Sequence, residues 1–215
     1  MTALAPTAPR RLVLADRVFP RHLAISAIEI VAGAGLTALL AQLVIPLWPV
    51  PITGQTFAVL FVGATLGSIR GALAMGLYLV VGVLGAPIFA AGGSGSLIGS
   101  TSGGFVIGFV VAAFATGFLA ERQWDRKVLR TFVAFAAGTV IMYAFGLPWL
   151  YAVLSTFDAA TMTQYFGTTD VFAATIQGGL VPFLLGDTIK AVLAAVLLPV
   201  TWKLLAKRAP KPAAD

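Results

Sequence analysis

The stretch LVPFLLGDTIKAVLAAVLLPV, residues 180–200, places Asp187 and Lys190 three positions apart inside the last long apolar run of the chain. A bilayer-spanning helix tolerates neither charge facing lipid, so both are expected to face a protein interior and to work there. At a spacing of three they share a helix face and can pair. Turning successive residues by the helical increment brings Gly179, Phe183, Asp187, Lys190 and Ala194 into one narrow arc. That arc combines an aromatic surface, an acceptor, a donor and small neighbours, which suits a compact ligand with a polar head better than an ion pore. The same pair read as a purely structural ion bridge is equally compatible with the spacing, because mutual pairing offsets much of the burial penalty.

Outward from this stretch, the composition sets the class. Of 215 residues, 59% are hydrophobic and only 10% charged, with a mean hydropathy of +0.97; that leaves no polar coat for a soluble domain. The chain reads as an all-α, polytopic membrane protein with six apolar helices, at about 23–46, 53–69, 71–86, 102–120, 130–154 and 172–205. The third is barely long enough to cross and carries Gly76, Gly82 and Gly85, and Pro182 predicts a kink or unwound outer turn in the sixth. One transmembrane domain over 23–205 is expected, between cytoplasmic tails at 1–22, short and frayed, and 206–215.

The net charge of +6 does not indicate nucleic acid, because the basic residues fall in the segments between apolar runs. Thirteen of the fourteen form four groups: Arg10, Arg11, Arg17 and Arg21; Arg70; Arg122, Arg126, Lys127 and Arg130; and Lys203, Lys207, Arg208 and Lys211. With six crossings all four groups share one side, which makes both termini cytoplasmic. Lys190 is the fourteenth. The three opposite loops are free of Lys and Arg, and two of them are rich in Pro and Gly: WPVPITGQT at 48–56 and GAPIFAAGGSGSLIGSTSGG at 85–104 are poor helix formers. Such backbone survives at membrane depth only inside protein or beside a cavity, so these loops are expected to fold over a pocket open to the outside.

Catalysis finds no footing. The chain has no cysteine, its one histidine, His22, lies in the polar N-terminal segment, and no phosphate-binding loop, HExxH or GxSxG occurs. Glu29 near the cytoplasmic end of the first helix reads as an interfacial or packing residue. Neither a cofactor nor a metal site is expected, and binding or transport is the remaining class. On the first helix Ala27, Ala34, Ala38 and Ala41 align, a small-residue stripe that by spacing alone favours packing within the chain over a partner surface.

Four signatures, in order, carry a family resemblance: VPITGQTFAVLFVGATLGSIRGALAMGLYLVVGVLGAPIFAAGG at 50–93, GGFVIGF at 103–109, GLPWL at 146–150 and PFLLGDTIKAVLAA at 182–195. Together they closely resemble the BioY family, the biotin-specific S-components of energy-coupling-factor (ECF) transporters, over roughly residues 23–205. One departure is GSTSGG at 99–104, where the family usually has a proline. The resemblance implies a plasma-membrane subunit that captures biotin in an outward-facing cavity and delivers it with a transmembrane T-component and two cytoplasmic ATPases. It also implies that Ala34 and Ala38 form the surface offered to the T-component. Asp187 would accept from the ureido ring of biotin, while Lys190 would donate either to the ureido carbonyl or to the valerate carboxylate. By matching motif positions, Gln55, Tyr78, Phe89 and Trp149 join the pocket wall, the aromatics covering the thiophane ring and Gln55 offering an adaptable amide. Each aromatic taken alone is ordinary packing or an interfacial belt residue. The rival reading is an ion-coupled secondary carrier for a small polar solute, with Asp187 and Lys190 as its relay.

Overall fold

The computed structural model describes residues 12–207. The elements run α1 (Leu14–Val18), α2 (Leu23–Leu40), β1 (Val44–Ile45), β2 (Ile52–Thr53), α3 (Gln55–Leu66), α4 (Ser68–Val83), α5 (Gly103–Glu121), α6 (Val128–Leu154), α7 (Ala159–Phe166), α8 (Val171–Gly179) and α9 (Val181–Lys207). The six expected helices are present as α2, α3, α4, α5, α6 and the α8–α9 stretch. α2, α5, α6 and the stretch ending in α9 are long and apolar enough to cross a bilayer, whereas α3 and α4 are shorter apolar helices. Large apolar side chains such as Ile28, Val31, Leu39, Val140 and Leu185 point outward, where only lipid accommodates them in quantity.

One boundary and one added helix differ from the sequence expectation, and the interruption expected near Pro182 is present. The first helix stops at Leu40 instead of 46, because the β-branched pair Val44–Ile45 ahead of Pro46 turns back and pairs antiparallel with Ile52–Thr53, Val44 opposite Thr53. The sixth helix is broken at Leu180, two residues before Pro182, so α8 and α9 are separate rods. Pro182 donates no N–H and falls in the first turn of α9, where that donor is dispensable. Between α6 and α8 a further helix, α7, forms an outer cap, with Trp48 packed on Phe157, Tyr165 and Phe166.

Small residues let the central helices approach. α3 and α4 are joined by Gly67 alone, at φ +89°, a conformation that favours glycine. One turn earlier a Cβ on Gly63 would stand 2.4 Å from the Ala113 carbonyl oxygen, so α3 meets the α5 backbone directly.

The basic segments converge at one end of the bundle, as their spacing requires. Arg70 of α4 reaches Asp16 of α1 at 2.7 Å and Glu29 of α2 at 2.6 Å. Arg21 also pairs with Asp16. Ser68 donates through its backbone and its hydroxyl to Glu121 at the end of α5. Arg126 lies over the Trp202 ring and donates to the Leu12 carbonyl. The expectation of a frayed tail is therefore corrected for residues 12–22: Val13 and Ala15 are buried, and α1 is fastened to the bundle by ion pairs. Arg10, Arg11, Arg208 and Lys211 lie outside the described residues, as do the outer parts of both tails.

Candidate functional site

At the opposite end from this ion-pair cluster, α3, α5, α6 and α9 line a partly open hollow with about 520 Å³ of space when its mouth is counted. Its interior leaves little free space between the side chains, so the hollow is a narrow slot. Val50, Pro51, Ala90 and Ser102, from the two glycine- and proline-rich outer segments, contribute to its lining, in line with the inward fold predicted for them. Phe105 and Phe109 of α5, Met142 of α6 and Phe183 of α9 give apolar walls, and Asp187 and Lys190 supply the charge.

The charged pair is held from three helices. The Lys190 ammonium donates to Asp187 Oδ1 at 3.1 Å and to Thr56 Oγ1 of α3 at 2.7 Å. The Thr56 hydroxyl in turn donates to Asp187 Oδ1 at 3.2 Å, and the Tyr143 hydroxyl of α6 donates to Asp187 Oδ2 at 2.5 Å. Asp187 is 9% exposed and the Lys190 side chain 18%, so neither charge points at lipid or bulk water. In this low-dielectric setting the polar groups rigidify one another, and an unpaired one would be costly.

The other expected wall residues divide. Gln55 lines the hollow, but its amide is fixed: Nε2 donates to the Tyr78 hydroxyl at 2.6 Å, and Oε1 accepts from Thr53 at 2.9 Å. Tyr78, Phe89 and Trp149 are not among the lining residues. Tyr78 is fully buried behind Gln55 and donates to the Ile88 carbonyl at 3.0 Å, with Phe89 edge-on at 5.4 Å. Trp149 donates from its indole to the Ser100 carbonyl at 2.9 Å, and Thr101 donates to the Pro49 carbonyl. These aromatics support the roof and the wall from behind, which is the ordinary packing that each implied when taken alone. In the segment that departs from the family's proline, Thr101 thus ties the second outer loop to the first.

Ala34 and Ala38 lie largely inside the bundle. Ala34 is buried in the core and Ala38 is half-buried against it. In an alanine-rich helix the small face serves packing against α3 and α4, while Leu23, Ile28, Val31 and Leu39 face outward.

The sequence reading missed Thr56, Thr139 and Tyr143, all of which line the hollow. A signal was present in the last two: they stand four apart, hence on one face, in an otherwise apolar run. Glu29 is more than a packing residue, since it is one of the two carboxylates on Arg70.

An apolar helix bundle around a slot with apolar walls and one charged pair, with loops at one end and ion pairs at the other, is a multi-pass membrane protein with an internal hollow. Comparison with known proteins places it: the chain belongs to the BioY family, whose sequence model matches residues 15–207. It is 34% identical over 180 residues to the biotin transporter BioY of Rhizobium etli, covering 75% of this chain and 88% of that one. It is 35% identical over 174 residues to the biotin transporter BioY of Thermotoga maritima, covering 79% and 92% respectively. Its fold matches a crystal structure of the S-component for biotin from an ECF-type ABC transporter with a TM-score of 0.66, at 21% identity, over 84% of this chain and 92% of that chain.

Proposed function

We propose that this chain captures biotin from outside the cell and carries it across the plasma membrane as the substrate-binding subunit of an ECF-type ABC transporter. Membership of the BioY family and the names of its relatives support the substrate. The single observation that carries the reading is the Lys190–Asp187–Thr56–Tyr143 network in the wall of the slot. Biotin offers two ureido N–H donors, a ureido carbonyl, a carboxylate and an apolar thiophane ring. Asp187 and Lys190 supply the complementary acceptor and donor, and Phe105, Phe109 and Phe183 the apolar surface. Selectivity then follows from the penalty on any analogue that leaves the buried pair unmatched.

The chain acts as a binding subunit and not as an enzyme. Energy comes from partners, a transmembrane T-component and two cytoplasmic ATPases, which accords with the lack of a nucleotide-binding motif here. The slot faces outward and both termini face the cytoplasm, which the convergence of the basic segments at the far end supports. Because the empty slot is narrow, the roof segments move apart to admit the bicyclic head and settle over it afterwards. The test is uptake of radiolabelled biotin by cells expressing the chain with its coupling subunits. Uptake that survives an uncoupler but is abolished by ATPase-dead partners supports the reading. Uptake that collapses with the proton gradient in the presence of ATP indicates the ion-coupled carrier instead.

A further inference from the structure

Resting on the biotin reading, we infer that Tyr143 is a positioning residue for ligand selection, acting through Asp187. An ionised carboxylate offers about four lone-pair positions. Tyr143, Thr56 and Lys190 occupy three of them on Asp187. One position remains for the ligand, so Asp187 accepts a single ureido N–H. Thr56 and Lys190 both bind Oδ1 and leave the plane of the carboxylate free to swing about its terminal torsion. Tyr143 removes that freedom by holding Oδ2 from a different helix.

The ring of Tyr143 is itself fixed. Phe105 of α5 meets it edge-on at 6.4 Å and 88°. Phe105 in turn occupies the space left by Gly146, where a Cβ would lie 2.3 Å from its ring. The order of support runs from Gly146 to Phe105 to Tyr143 to Asp187, and its product is an acceptor with one preset direction. Preorganisation of this kind increases affinity by reducing what must be ordered on binding.

A double-mutant cycle on the full chain in detergent, read by equilibrium binding of radiolabelled biotin, tests this. Tyr143→Phe keeps the ring against Phe105 and removes only the hydroxyl. The expected losses of affinity are ~10-fold for Tyr143→Phe and ~100-fold for Asp187→Asn, on the scale of charged hydrogen bonds. The double variant is expected to stay near ~100-fold, because a residue acting through Asp187 has nothing left to position. Unfolding midpoints of the same four proteins without ligand are expected to show the same coupling. A double variant near ~1,000-fold, with additive midpoints, overturns the inference and leaves the biotin reading standing. A wild-type protein that binds no biotin overturns the biotin reading, and this inference with it.

Discussion

The Lys190 ammonium and the Thr56 hydroxyl are 2.7 Å apart, although 134 positions separate them in the chain. Through this contact α9 grips α3, and the same hydroxyl donates to Asp187. Thr56 therefore relays between the two charges, accepting from one and donating to the other. Thr56→Val keeps the shape and removes both bonds, and is expected to weaken biotin binding about 10-fold or more. Thr56→Ser restores the hydroxyl and most of the affinity. Isothermal titration of the two variants beside the wild type checks this; equal affinity for Val and Ser would show the relay to be idle.

Arg70 holds two buried carboxylates, those of Asp16 and Glu29, whose side chains are 1% and 8% exposed. Removing one partner of a buried pair costs about 3–5 kcal/mol, because the remaining charge stays desolvated. Arg70→Met should lower the unfolding midpoint in detergent sharply and loosen α1. Binding at the distant slot should stay near wild type in protein that remains folded.

Asp125, in the turn between α5 and α6, is 2% exposed, and its carboxylate accepts from the Trp202 indole of α9. Burial is the largest influence on it and pushes its pKa up from 3.8 to about 6, against the Trp202 bond and the Arg126 charge. A carboxyl raised in the folded state contributes stability that is complete below its unfolded value and is lost as pH rises through the folded one. The contribution of Asp125 should therefore decline as pH rises from about 4 to about 6. Asp16 works in the opposite sense. Burial pushes it up, but Arg21, the Val13 N–H and Arg70 outweigh this and hold it below its usual value, so its contribution is lost only as pH falls. Unfolding midpoints from pH 4 to 7 should fall less steeply for Asp125→Asn, which keeps an acceptor for Trp202, than for the wild type.

The chain has no cysteine, so single introduced thiols report topology without background. Ser94 in the second outer loop and Lys127 between α5 and α6 are both exposed. In intact cells Ser94→Cys should react with a membrane-impermeant maleimide, and Lys127→Cys only after permeabilisation. The reverse pattern would invert the molecule and remove the outward-facing slot.

Much of this architecture was legible in the chain because apolar length and basic spacing are strong one-dimensional signals. Six apolar runs match α2, α3, α4, α5, α6 and the α8–α9 stretch, and two charges one helical turn apart in an apolar run marked the slot. What stayed hidden depends on three-dimensional neighbours. The hairpin of Val44–Ile45 with Ile52–Thr53 is too short to leave a periodic signature. Thr56 is uncharged, so an apolar helix carries it without any visible penalty, and Tyr143 left only its spacing of four from Thr139. Whether Trp149 faces a ligand or a loop carbonyl turns on which side of α6 meets Ser100, and helix phase alone does not settle that. The alanine stripe carries two readings at once, because small residues serve both internal and external helix contacts.

The central claim is that Asp187 and Lys190 together form the polar wall that recognises biotin. Equilibrium binding of radiolabelled biotin to the purified wild type, Lys190→Ala and Asp187→Asn tests it most directly. Binding by the wild type with a loss of about 100-fold or more in each variant is the predicted result, since each substitution removes one charge-assisted partner and strands the other. Wild-type affinity in both variants would contradict the account and leave the pair a structural bridge.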